Sequence, residues 1–353
     1  MKQQHRHQRA TLLGHCGAAT ARRIGLSSTN RNAAARDAQR QAEIEQELLL
    51  ARDIQQGLLL EAVPRLLGYE ISAVCLPARD LGGDLYDFLA LGGGQHAIMI
   101  GDVSGKGLPA ALRMAVARTV FRHEARRGLL PSTTLAAVNQ TVLTDIPQGM
   151  VTMLYTTLDL DSGVLRMANA GHNFPIIING AVSEVELTGL PLGVDSECSY
   201  REMVHTLHHG DTVFFFTDGV VEALNPAGAM FGDDRLQALL GACAAMKPRA
   251  MVARLVHELR QWGCGTQADD ITLVVLRRRC AALGDELHLA VVDVLGAERA
   301  GWLWAELELS TCTTTAAWTA QLPEITQCVQ AHFGRGLARE LQGQLRAVAE
   351  EYR

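Results

Sequence analysis

The strands that the sequence predicts are joined by tight hairpin turns, and this feature limits the fold more than any other. Asp161-Ser162-Gly163 and Asn179-Gly180 are turn sequences that separate runs of strand length. Two pairs of helical stretches interrupt the strand series, at 108–127 with 132–145 and at 234–245 with 249–262. Clustered helices and hairpin-linked strands predict an α+β fold with helices packed on antiparallel sheet, and they disfavour alternating parallel βαβ units.

Eight segments have the apolar runs or the alternation of strands, at 69–76, 96–103, 150–160, 164–170, 175–178, 201–207, 212–216 and 271–276. They lie within a predicted domain at 63–279 of the 353 residues. Residues 280–353 carry no clear motif. For this C-terminal extension we expect strands within 285–310 and helix over 325–351. A truncated anti-sigma-type ATPase kinase domain and a small accessory extension are both open readings.

The first 62 residues differ in character from the rest of the chain. Residues 1–32 are basic and lack apolar periodicity, which predicts a disordered tail and leaves a transit peptide as the alternative. Residues 33–62 predict a regulatory or linker helix, with an apolar stripe at Ile44, Leu48, Ala51, Ile54 and Leu58. The stripe fits packing on the chain's own domain and equally a weak homodimer through residues 33–60.

Charge and composition exclude several classes of function. The net charge of -6 does not favour nucleic acid as a partner, because such surfaces are usually basic. No apolar run reaches the roughly 18 residues that a membrane-spanning helix needs, so no membrane is expected. The eight cysteines are scattered and include no CxxC pair, which disfavours structural zinc and suits reduced thiols in the cytoplasm.

Aspartates at the ends of apolar strands carry the candidate chemistry. They occur in four segments, GGDLYDF at 82–88, GDVSGKG at 101–107, FTDG at 216–219 and DDITL at 269–273. Carboxylate oxygens are the ligands that Mg²⁺ and Mn²⁺ prefer, and neighbouring glycines let backbone or water come close to an ion. One Asp-Gly pair would first indicate a turn, but four such segments in order predict a metal centre.

The ordered motifs GGDLYDF, DVSGKG, AGHNFP, PLG, GDTVFFFTDGVVEA and DDITLVVLRRR resemble those of the PPM-type protein phosphatases. More narrowly, they resemble the bacterial SpoIIE/RsbU-type branch over about residues 45–279. The resemblance implies an αββα sandwich of two mostly antiparallel sheets, with two divalent cations at one end. It also implies hydrolysis of phosphoserine or phosphothreonine by an activated water, on a STAS-type anti-anti-sigma partner.

The resemblance further implies roles for individual residues. Asp102 would bridge both cations, Mn²⁺ or Mg²⁺, and the Val103 carbonyl would add a ligand. Asp218 and Asp269 would complete the ligand set, with Asp270 as a second choice or an orienting neighbour. Asp84 would bind a cation directly or through its waters. His172 and Arg79 are accessory candidates, although a backbone-bonded loop histidine and a solvated arginine are the plainer readings.

Two other readings compete with the phosphatase. The GGD segment is similar to the GGDEF loop of diguanylate cyclases, but Leu85-Tyr86 stands where Glu-Phe would be. The later TDG and DDIT segments also have no role in a cyclase. A catalytically inactive phosphatase fold that binds its client is the alternative that remains. Dependence of phosphopeptide hydrolysis on Mn²⁺ separates it from the enzyme.

Overall fold

Two five-stranded sheets form the centre of the computed structural model, which describes residues 28–59, 63–146 and 149–352. Sheet A has the order β1 (Tyr69–Leu76), β10 (Ile271–Arg278), β9 (Thr212–Phe216), β6 (Ile176–Ile178) and β7 (Val182–Glu184). Sheet B has the order β2 (Leu85–Gly92), β3 (Gln95–Val103), β4 (Val151–Asp159), β5 (Val164–Ala170) and β8 (Glu202–Thr206). All neighbouring strands are antiparallel.

The alternation of side chains along the strands builds four layers. On β9, Val213 and Phe215 belong to the core between the sheets, whereas Phe214 and Phe216 belong to the core on the opposite face of sheet A. Helices α4 (Asp233–Ala242) and α5 (Pro248–Trp262) cover that face. Helices α2 (Leu108–Ala125) and α3 (Pro131–Asp145) cover the outer face of sheet B. The predicted αββα sandwich is therefore confirmed.

The strand pairing brings the aspartate segments to one end of the sandwich. In sheet B the end of β3 lies beside the start of β2, because Gly101 pairs with Leu85. In sheet A the end of β9 lies beside the start of β10, because Phe216 pairs with Leu273. Antiparallel pairing therefore places these segments at the same end, and a hydrogen bond between Gly83 and Asp270 joins two of them across 187 residues of sequence.

The long N-terminal helix α1 runs from Ser28 to Leu59 and so begins five residues before the predicted start at 33. Residues 1–27 of the predicted tail lie outside the described residues. Near the end of α1 the side chains of Gln55 and Leu59 are buried, but Ile54 is 60% exposed. Of the predicted apolar stripe, Ile54 therefore lies off the buried face, whereas Ala51 and Leu58 are partly buried. No helix in the described part of the chain is long and apolar enough to span a bilayer.

The C-terminal extension is helical in all its regular structure between residues 283 and 351. It contains α6 (Leu283–Leu295), α7 (Ala297–Glu306), α8 (Thr315–Phe333) and α9 (Arg335–Glu351) around an apolar core of their own. The prediction of strands within 285–310 was wrong. The buried Leu287, Ala290, Val291 and Leu295 recur at helical spacing, which apolar content alone did not reveal.

Candidate metal centre

Asp84 lies just before β2 and is almost completely buried, at 2% exposure. Its Oδ2 accepts hydrogen bonds from the hydroxyls of Thr217, at 2.8 Å, and Thr272, at 2.7 Å. Both threonines belong to sheet A segments, so one carboxylate of sheet B is held by the other sheet. Burial, and next the charge of Asp102, raise the pKa of Asp84 well above its usual value.

Asp102 is the second-last residue of β3, and Val103 ends that strand. The Gly83 segment packs directly against them, and the Val103 amide donates to the Gly83 carbonyl at 3.3 Å. A β-carbon on Gly83 would lie 2.5 Å from the Val103 carbonyl oxygen and 3.1 Å from Asp102 Oδ1. Glycine is therefore required at 83, since any side chain would displace the backbone oxygen or the carboxylate.

Asp218 and Asp269 reach the same end from sheet A. Asp218 opens a short 3-10 turn after β9, and Asp269 lies two residues before β10. Lys106 of the GKG segment donates to Asp269 Oδ2 at 2.7 Å and to the Ala268 carbonyl at 2.8 Å. No local sequence signal pairs Lys106 with this aspartate, because 163 residues separate them.

Asp270 uses both carboxylate oxygens on backbone amides. Oδ1 accepts from Ala78 N and Oδ2 accepts from Gly83 N, each at 2.7 Å. These bonds fix the loop between β1 and β2, which carries Asp84. The geometry favours the orienting role for Asp270 over direct ligation.

The aspartates act on one another electrostatically. Burial first, and then the charges of Asp218, Asp269 and Asp270, raise the pKa of Asp102 to about 7. The pKa of Asp218 is raised as well, by burial and then by Glu222 and Asp269. Carboxylates that interact in this way repel one another, and a cation among them would remove that cost.

No group of three or more His, Cys, Asp or Glu side chains within 28–59, 63–146 and 149–352 is already arranged as a cation site. Asp84, Asp269 and Asp270 instead bind hydroxyl, ammonium and amide donors of the protein. The donor set nevertheless fits Mg²⁺ or Mn²⁺, because it consists of carboxylate oxygens and a nearby backbone carbonyl, and the pKa values of Asp84, Asp102 and Asp218 are raised.

His172 is buried, at 6% exposure, and its Nδ1 lies 2.9 Å from the Thr152 hydroxyl. Thr152 pairs across the strands with Asp102. Burial lowers the pKa of His172 to about 4, against a smaller opposing effect from the Phe216 backbone. The ring is therefore neutral at physiological pH and suited to packing behind the site, not to donating a proton.

Arg79 lies exposed on the loop that Asp270 holds. The structure adds no support for Arg79 as a site residue beyond its position close to Asp84 in the sequence.

Sequence reasoning missed Gln55, which comes from α1. Its Nε2 donates to the Gly82 carbonyl at 2.7 Å, and its Oε1 accepts from the Gly82 amide at 3.2 Å. This pair of bonds joins the N-terminal helix to the residue two positions before Asp84. A single glutamine among helix-forming residues gives no sequence signal of such a contact.

Known proteins share this fold. The structure is similar to the SiaA-PP2C domain of Pseudomonas aeruginosa, with a TM-score of 0.60 and 25% identity over 68% of this chain and 98% of that chain. It is also similar to the RsbU and RsbW domains of Rv1364c from Mycobacterium tuberculosis, with a TM-score of 0.52 and 30% identity over 62% of this chain and 63% of that one. The fold is thus that of a PP2C-type phosphatase.

The sequence comparisons identify the family within this class of phosphatases. The model of the family Stage II sporulation protein E (SpoIIE) matches residues 92–279. Phosphoserine phosphatase RsbU of Bacillus subtilis is 31% identical over 243 residues, which is 68% of this chain and 72% of RsbU. Protein IcfG of Synechocystis is 28% identical over 262 residues, covering 66% of this chain and 41% of IcfG. The chain belongs to the SpoIIE family, and it is a protein serine/threonine phosphatase.

Proposed function

We propose that the chain hydrolyses phosphoserine or phosphothreonine in a protein substrate, using two divalent cations held by Asp84, Asp102, Asp218 and Asp269. The observation that carries this proposal is the convergence of these carboxylates at one end of the sandwich, where burial and neighbouring carboxylates raise the pKa values of Asp84, Asp102 and Asp218. The name of the relative RsbU, a phosphoserine phosphatase, supports the same chemistry.

In the proposed site, Mn²⁺ or Mg²⁺ would neutralise the phosphoryl oxygens and lower the pKa of the attacking water. The residues of the chain supply the geometry. The hydroxyls of Thr217 and Thr272 hold the Asp84 carboxylate in one orientation. Asp270 holds the loop before Asp84 through two amides, and the backbone of Val103 is in contact with Gly83.

The experiment is hydrolysis of a phosphoserine peptide with Mn²⁺, with EDTA, and with EDTA followed by excess Mn²⁺. We expect activity that disappears with EDTA and returns with the cation, and Asp102→Asn should abolish it. Asp161→Asn, which changes an exposed turn aspartate, is the matched control and should behave as wild type. Activity that survives exhaustive chelation would contradict the proposal.

We further propose a phosphorylated STAS-type anti-anti-sigma protein as the client in a bacterial signalling pathway. The support is the motif set and the similarity to RsbU and to a chain with RsbU and RsbW domains. Capture of a STAS-domain phosphoprotein by a metal-free or Asp218→Asn variant tests the client independently of the chemistry.

One observation favours the alternative of a catalytically inactive binding module. Lys106 already neutralises Asp269, so this aspartate has a partner without any cation. The EDTA and Mn²⁺ experiment separates the two functions, since a binding module would retain the client and release no phosphate.

We propose four regions: a tail before α1, a regulatory helix that begins at Ser28, the phosphatase domain at 63–279 and the extension at 280–353. We also propose a cytoplasmic location and weak pairing of two chains through the helix. The exposed apolar side chains of Leu49, Leu50 and Ile54 near the end of α1 support the pairing.

A further inference from the structure

A cavity of about 160 Å³ opens beside the candidate metal centre, between α5 and the ends of β1 and β10. Its walls are mainly apolar, with Leu76, Val256, Leu259 and Ile271 among them. Arg260, which is exposed, is its charged lining residue. None of these five residues belongs to the proposed ligand set.

The cavity borders the site through two residues that follow or precede a proposed ligand. Gly219 and Ala268 both line it, and their chain neighbours are Asp218 and Asp269. A β-carbon on Gly219 would overlap the Asp270 carbonyl oxygen, so the wall here consists of backbone in close contact. A group that enters the cavity therefore lies next to the segments that hold two proposed ligands.

Hydrogen bonds hold the cavity walls in place. Gln267 Nε2 donates to the Leu76 carbonyl at 2.6 Å and to the Asp269 carbonyl at 2.8 Å, which ties the loop before β10 to the end of β1. The Trp262 indole donates to the Ala223 carbonyl at 3.0 Å, which ties α5 to the segment after Asp218. The cavity is thus a preformed feature, as binding pockets generally are.

The size and the apolar lining of the cavity determine which kind of group can bind in it. An apolar cavity of roughly 150 Å³ is large enough to bind benzene, so this one accepts a side chain of the size of leucine or phenylalanine. A phosphoserine at the metal centre brings its neighbours in the substrate chain with it. At about 3.3 Å per extended residue, a side chain one to three positions away from the phosphoserine can reach the adjoining pocket.

We propose that this cavity is a specificity pocket that binds an apolar side chain of the phosphoprotein substrate, within three residues of the phosphoserine. The inference rests on the proposed function, because it assigns the substrate segment to the same site. One methylene group more or less in a hydrophobic pocket changes kcat/KM by about 10- to 200-fold.

The test uses the full-length protein with Mn²⁺ and a set of phosphoserine heptapeptides. Each peptide has glycine at the neighbouring positions except for one leucine, placed in turn at positions −3 to +3. Wild type should prefer one leucine position over the all-glycine peptide by about 10-fold or more in kcat/KM. Equal kcat/KM values for all the peptides would overturn the proposal without any variant.

Variants of the cavity lining then test whether the leucine preference depends on this cavity. Val256→Phe should fill the cavity and remove the leucine preference, while turnover of p-nitrophenyl phosphate stays unchanged. Ala253→Phe is the control, since it places the same side chain at an exposed position of α5 outside the cavity. Ala223→Leu narrows the cavity from another wall and serves if Val256→Phe does not fold.

A leucine preference that Val256→Phe and Ala223→Leu both retain would overturn the assignment to this cavity. Failure of the proposed function looks different, because wild type would then hydrolyse neither p-nitrophenyl phosphate nor any phosphopeptide with Mn²⁺.

Discussion

Replacement of Gln55 by alanine tests whether α1 supports the metal centre. The side chain of Gln55 is 6% exposed and binds both polar groups of the buried Gly82 backbone. Gln55→Ala leaves that amide and that carbonyl without this partner, at a cost of about 1–3 kcal/mol. At about 2 °C per kcal/mol in a chain of this size, the Tm should fall by roughly 2–6 °C.

The same change should weaken the use of Mn²⁺. Gly82 lies two residues before Asp84, and the loop between them has one fewer anchor when Gln55 is absent. If the lost energy falls on cation binding, the Mn²⁺ concentration for half-maximal activity rises by about 5- to 150-fold. Mn²⁺ titration of phosphopeptide hydrolysis measures this rise, and saturating Mn²⁺ should restore most of the turnover.

Gln56→Ala is the control, because Gln56 is the next residue of the same helix and is only half-buried. It should change neither the Tm nor the Mn²⁺ requirement appreciably. Equal Mn²⁺ requirements in Gln55→Ala and wild type would refute the reasoning, even if the Tm fell, since the bonds would then stabilise the fold without positioning the ligand loop.

Three further perturbations have defined outcomes. Lys106→Met removes the ammonium group beside Asp269, so the Mn²⁺ concentration for half-maximal activity should fall. The fall should be at most about 5-fold, because a partly exposed ion pair contributes little free energy. A rise in that concentration would contradict the reasoning. In EDTA, the pKa of Asp102 is about 7 in the folded chain and about 3.9 in the unfolded chain. The contribution of Asp102 to the free energy of unfolding is therefore fully present below about pH 3.9 and is lost as the pH rises through about 7. The Tm of the metal-free wild type should therefore fall from pH 6 to pH 8 more steeply than that of Asp102→Asn, and parallel curves would argue against the raised pKa. Glutamate at both Ile44 and Ile54 should reduce the solution mass if α1 pairs two chains, and an unchanged mass by light scattering would remove the dimer proposal.

The order of strands and helices in the phosphatase domain was predictable because hairpin turns and alternation are local signals. Strand β2 was missed, although it contains the second half of the GGDLYDF motif, because its inner and outer residues are both apolar and it shows little alternation. Its polar Asp87 is buried in ion pairs with Arg118 and Arg122, which only the packing of α2 on sheet B creates. Such pairs between distant segments have no local signature.

The candidate site was likewise predictable from the sequence only in part. The aspartates were visible in sequence as acids at strand ends, but their partners were not. Thr217 and Thr272 hold Asp84 from 133 and 188 residues away. The helical nature of residues 283–306 was missed because apolar residues there also fit short strands, and their helical spacing becomes clear only when their common buried face is known.

The most direct test of the two-cation site is to measure Mn²⁺ binding and phosphopeptide turnover together for wild type, Asp102→Asn, Asp218→Asn and the control Asp161→Asn. Calorimetry should find two Mn²⁺ ions per wild-type and control chain, and at least one fewer in each site variant. Turnover in saturating Mn²⁺ should be abolished in both site variants and unchanged in the control. Full stoichiometry with near wild-type turnover in either Asp102→Asn or Asp218→Asn would contradict the account.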